Sequence, residues 1–165
     1  MPRKLVFAVA ILVAGWFALT VWNDDGRRIK RRLAALQRLA AKAPVETRLQ
    51  GAAKASEIAD FFAGGFELRA EPESFATANR QDLVRGIMSY RARTGSLVMQ
   101  VSREQLFLDS GGASATHYAY VEFLNDLGDL TGAASYPVRI EWVKEGGAWM
   151  IRKLEVLRAE PAGTR

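Results

Sequence analysis

The C-terminal half of the chain most restricts what it can fold into. Leu97 to Asp109, Ala113 to Leu124, Tyr136 to Lys144 and Ala148 to Leu157 each alternate broadly between apolar and polar residues, as half-buried strands do. Ser110-Gly111-Gly112 and Glu145-Gly146-Gly147 separate the outer pairs, and glycine there can supply the positive φ of a tight turn. A longer polar loop, about Asn125 to Ser135, links the middle pair. Four consecutive strands of this kind form an antiparallel meander with one face to be covered.

The cover comes from the other half. Asp24 or Asp25 can cap a helix through Lys42, with Ile29, Leu33, Leu36 and Leu39 as its apolar stripe. Its other face, rich in Arg and Lys, suits either solvent or anionic lipid. Pro44 ends it. A second helix is expected over roughly Thr47 to Ala63, stopped by Gly64-Gly65. Phe66 to Arg69 reads as a short strand, with Ser74 to Thr77 as its returning partner. Asn79 caps a third helix carrying Leu83, Ile87 and Tyr90 on one face, and Thr94-Gly95 stops it. Helices gathered on one face of a curved antiparallel sheet give an α+β domain.

Ahead of this domain, Leu5 to Trp22 is a run of 18 residues without a charge. As a helix it rises about 27 Å, close to the hydrocarbon thickness of a bilayer. Bulky residues surround Ala18-Leu19-Thr20, a poor cleavage site, so the run is expected to remain as an uncleaved anchor. The expected organisation is an N-terminal transmembrane helix over 1–23, a domain over 24–158 and a flexible tail over 159–165.

Charge is unevenly spread. Residues 1–42 carry nine basic groups against Asp24 and Asp25, whereas residues 43–165 hold 14 basic and 16 acidic groups. The basic block adjoins the apolar run and not a folded surface with interleaved aromatics, which favours membrane lipid as a partner and argues against nucleic acid. With no Cys and one His, disulfide scaffolds, thiolate metal sites and multi-histidine sites are excluded. Asn125, Asp126 and Asp129 fall short of a calcium loop, and no glycine pattern cradles a phosphate; no metal or cofactor is expected.

Pairing Asp109 with Ala113 across Ser110–Gly112 gives opposed residues whose numbers add to 222, and the more apolar face then carries Arg103, Gln105 and His117 together. These three are the candidate ligand-binding residues. His117 opposite Gln105 is a weak candidate base, because no acidic residue shares that expected face. Tyr118 and Tyr120 point the other way, as a homodimer interface or a solvent face. Trp142 and Trp149 are expected in the core.

The element order, with the closing hairpin VRIEWVKEGGAWMIRKLEVLR and its Trp149-Met150-Ile151 ending, resembles the nuclear transport factor 2-like superfamily, including its SnoaL-like branch and its cystatin-like α+β cone. The resemblance spans about residues 26–158 and implies a bent sheet wrapped around a long helix with an apolar pocket. It is similar to membrane-tethered bacterial members, which implies a single-pass protein of the inner membrane with its domain in the periplasm. The expected function is a non-catalytic module binding a small apolar ligand or a protein. The alternatives are an isomerase, dehydratase or cyclase using His117, and a scaffold subunit similar to the periplasmic component of type IV secretion assemblies.

Overall fold

Each helix among the described residues begins at a residue whose side chain caps it. Asp24 accepts a hydrogen bond from the Gly26 amide at 3.0 Å and opens α1 (Asp25–Ala40). Thr47 and Gln50 exchange hydrogen bonds in a capping box at the start of α2 (Arg48–Ala59). Asn79 accepts from the amides of Gln81 and Asp82 to start α3 (Arg80–Arg93). These caps satisfy amide groups that a helix leaves without intrahelical partners. The computed structural model describes residues 24–70, 75–125 and 134–157, so the expected anchor, the C-terminal tail and the loop carboxylates Asp126 and Asp129 lie outside the described residues. Among the described residues no helix is long and apolar enough to cross a membrane.

Among the described residues six strands complete the fold: β1 (Phe62–Ala70), β2 (Phe75–Thr77), β3 (Leu97–Leu108), β4 (Ser114–Asn125), β5 (Ala134–Glu145) and β6 (Ala148–Val156). They form one sheet in the order β2-β1-β6-β5-β4-β3. The β3 to β6 meander is antiparallel as expected, but β1 joins β6 in parallel, so the sheet is mixed. Consecutive strands cannot reveal that pairing, because β1 and β6 are separated by most of the domain.

Gly64-Gly65 do not stop the second helix. The helix ends at Ala59 and the glycines lie within β1, where the ladder to β6 shifts between Phe62 and Glu67 and Gly65 has φ +69°. They serve an irregular strand and not a helix stop. The last turn behaves as read: Gly146 and Gly147 both have positive φ, and Glu145 pairs with Ala148.

The core lies between the helices and the concave face of the sheet. Ile29, Leu33 and Leu36 of α1 pack there with Phe62, Phe66, Trp142, Trp149 and Ile151. Trp142 and Trp149 are each 1% exposed, as the sequence led us to expect. At the far end of α1, the Arg91 guanidinium pairs with Glu46 and donates to the carbonyls of Ala40 and Ala41, tying α1, the α1–α2 loop and α3 together.

Candidate functional site

The site is shaped by one extra residue in β3. From Leu97 to Ser102 the pairing with β4 is the expected one, with Met99 opposite Phe123 and Val101 opposite Val121. The register then shifts between Ser102 and Gln105, so that Leu106 and not Gln105 faces His117. Nearer the turn, Leu108 pairs with Ala115 and the Asp109 amide donates to Ser114, one residue beyond the expected partner. Arg103 sits in the shift with φ +52°, a β-bulge whose first residue takes a left-handed conformation.

A bulge reverses the inside–outside phase of everything on one side of it. Gln105 therefore shares the outward face with Tyr118, and Arg103 turns outward so that its guanidinium carbon lies 5.1 Å from the centre of the Tyr120 ring. Both are exposed. The expected grouping of Arg103, Gln105 and His117 on one face is not formed, and His117 alone points inward, with none of its surface exposed.

The same bulge brings in a residue that the sequence reading placed on the opposite face. Glu104 lies on the His117 side of the sheet, still a third exposed, with Oε2 at 3.2 Å from His117 Nε2. The approach lacks hydrogen-bond alignment, and neither His117 Nε2 nor Nδ1 has a well-aligned hydrogen-bond partner among the described residues. Burial pulls the imidazole pKa below its ordinary 6.5; the Glu104 carboxylate opposes this without cancelling it, and Lys30 reinforces it. His117 is thus a neutral imidazole at neutral pH, able to accept a proton, beside a carboxylate able to steady the imidazolium. The imidazole itself has no exposed surface.

Two expected results follow. A base with a depressed native pKa binds fewer protons in the native state than in the unfolded one, so its contribution to stability is complete above pH 6.5 and is lost as pH falls through the native value. With one His in the chain, a single imidazole NMR resonance should titrate below 6.5, and His117→Leu should flatten the stability profile in that window. A titration midpoint above 6.5 would contradict this. At the bulge, Arg103→Gly should be more stable than Arg103→Ala by about 1 kcal/mol, because alanine is strained at positive φ. At Gln105, a regular strand position, the order should reverse by a similar amount. Thermal melts of the four variants check both signs.

No group of three or more His, Cys, Asp or Glu side chains that could hold a metal ion occurs among the described residues. No family model matches the chain. No curated protein matches it either. Solved structures do. A protein from Novosphingobium aromaticivorans described as nuclear transport factor 2-like with a cystatin-like fold is similar over 92% of this chain and 91% of its own, with a TM-score of 0.67 and 14% identity. The chain has the nuclear transport factor 2-like, cystatin-like fold. A candidate scytalone dehydratase from the same organism gives a TM-score of 0.66 at 14% identity, over 86% of this chain and 89% of that one. A cystatin-like protein of unknown function from Nostoc punctiforme gives 0.62 at 16% identity, over 84% and 92%. At these identities the likeness concerns the fold.

Proposed function

We propose that this is a membrane-tethered, non-catalytic nuclear transport factor 2-like domain that works by binding another protein. The observation that carries this reading is the distribution of surface. The concave side is occupied by the chain's own core, with His117 fully enclosed, whereas the outer face of β3 and β4 leaves Phe107 57% and Tyr118 41% exposed. Val98 and Leu124 are exposed there as well. Adjacent exposed aromatic and aliphatic side chains are a feature of interaction surfaces. Arg103 and Glu122 lie on the same face, and opposite charges on one face can pair across a two-fold axis. The first partner to test is therefore a second copy.

The tether is the uncharged run Leu5–Trp22, with the domain on the periplasmic side of a bacterial inner membrane. Native mass spectrometry of the full chain released from detergent should show a dimer that Tyr118→Arg converts to monomer. A wild-type monomer with no bound protein would overturn the proposal. Alkaline carbonate washing tests the tether separately: the chain should remain with the membrane.

The Glu104–His117 contact favours a second reading, an isomerase or dehydratase of SnoaL-like type, and the similar N. aromaticivorans structure is described as a candidate scytalone dehydratase. Neutral His117 would take a proton from carbon and return it to a departing hydroxyl, so that a C–H and a C–O bond break, a C=C bond forms and water leaves. This requires α1 or β3 to move and open a path to the imidazole. Turnover of scytalone by the wild type, falling about 10²–10⁴-fold in His117→Gln, would favour it over the first. Absence of turnover, with a ligand-free dimer, would dispose of it.

A further inference from the structure

Arg28, Arg31 and Arg32 of α1 follow one another at the i, i+3, i+4 spacing that places side chains on one face of a helix. Opposite them stand Gly147, Ala148 and Trp149 at the β5–β6 turn and the start of β6. Together these six residues line a solvent-open groove of about 280 Å³. Arg32 is the most constrained of the three arginines. Its guanidinium carbon lies 4.6 Å from the centre of the Phe61 ring, and Nη2 contacts Met150 Sδ at 3.4 Å. Its Nε is buried without a hydrogen-bond partner among the described residues. Burial lowers its pKa, as expected where a cation has lost water.

The nearby carboxylates already have partners. Asp25 accepts from Trp149 Nε1 and from Lys144 and also pairs with Arg28 at 4.0 Å, and Asp60 pairs with Arg80. Among the described residues no carboxylate pairs with Arg32. A partly desolvated guanidinium that no described carboxylate neutralises, on the same helix face as two more, is suited to the oxygens of a phosphate group. Phosphate esters occur both in lipid headgroups and in soluble metabolites, and position along the chain decides between them. Arg28 follows Trp22, the end of the uncharged run, by six residues, a reach of about 20 Å even if fully extended. That keeps the groove near the headgroup layer of any membrane the run enters.

We propose that this groove binds the phosphate of an anionic phospholipid headgroup, with Arg32 at its base and Arg28 and Arg31 at its mouth. The proposal rests on the tether reading above. The test uses the full chain in nanodiscs of phosphatidylcholine, alone or mixed with phosphatidylglycerol, with co-released lipid read by native mass spectrometry. Phosphatidylglycerol should be retained in preference. Arg28→Gln combined with Arg31→Gln should weaken retention by about fivefold for each arginine removed. Arg32→Lys, which keeps the charge but loses the fork, should weaken it as well.

Equal retention of both lipids, or retention unchanged in the double variant, would overturn the headgroup site. Displacement of the lipid by glycerol 3-phosphate in the buffer would also overturn it, because the occupant would then be a soluble phosphate ester. A chain that fails to enter nanodiscs overturns the tether and the headgroup site together. One that enters without lipid preference overturns the site alone, so the two failures are distinguishable.

Discussion

Replacing Arg91 with alanine should cost about 3–5 kcal/mol of stability, the range found when one partner of a buried ion pair is removed. Arg91 is 4% exposed, and its guanidinium makes a two-point contact with Glu46, at 2.9 Å from Nε and 2.6 Å from Nη2. It also donates to Ala40 O at 2.8 Å and Ala41 O at 3.0 Å, carbonyls that the end of α1 leaves without helical partners. Removing the side chain leaves the Glu46 carboxylate buried, with Lys54 as its remaining ionic partner. At about 2–4 °C per kcal/mol for a chain of this size, the melting temperature should fall by about 6–20 °C. Circular dichroism melts measure it, and a loss below about 1 kcal/mol would show that the contact contributes no more than a surface pair.

Acid should act through the same contact. Burial on its own would raise the Glu46 pKa, but hydrogen bonds from Arg91 and Lys54 outweigh it and hold the carboxyl below its ordinary 4.5. A carboxyl with a lowered native pKa contributes stability that is complete above the unfolded value and is lost as pH falls through the native one. Wild type should therefore lose stability below pH 4.5 more steeply than Glu46→Gln.

Most of the architecture was legible because it rests on local chemistry. The N-caps at Asp24 and Asn79, the Ile29–Leu33–Leu36 stripe and the paired glycines at the last turn each act within a few residues of themselves. The parallel β1–β6 pairing was not legible, because it joins segments distant in the chain and leaves no local mark. The bulge occupies a middle position. An arginine at φ +52° carries none of the glycine signal that usually announces such a site. Yet the phase change was written in the apolar residues: Met99 and Val101 pack on the core, and so does Leu106, an odd number of positions further on. Strict alternation cannot put all three inside. The polar run Ser102-Arg103-Glu104-Gln105 had to contain one extra residue, and reading it that way would have placed Glu104 beside His117.

Whether the concave side can ever open depends on how firmly the start of α1 is held, and Trp149 is the residue to change. Its indole is 1% exposed and donates from Nε1 to Asp25 Oδ1 at 3.0 Å, while Lys144 reaches the same carboxylate at 3.1 Å. One turn of α1 is thereby fixed to the β5–β6 hairpin. Trp149→Ala should cost about 3–5 kcal/mol, the usual loss for a buried large aromatic. Trp149→Phe keeps most of the packing and gives up the hydrogen bond, so it should cost about 1–3 kcal/mol. The hydrogen bond from Trp149 is the largest influence holding the Asp25 pKa below its ordinary 3.8, so the phenylalanine variant should raise it and weaken the acid limb of the stability profile. Next to Asp25, Gly26 lies so close to Leu106, the cross-strand neighbour of His117, that a Cβ there would meet Leu106 Cδ2 at 3.6 Å. Loosening this turn should therefore speed hydrogen exchange in the first turn of α1 and across the bulge together. Faster exchange in both regions would mark α1 as the cover whose movement an enzymatic use of His117 needs. Exchange confined to the hairpin would mean that α1 is held by Ile29, Leu33 and Leu36 alone, and that the imidazole stays enclosed.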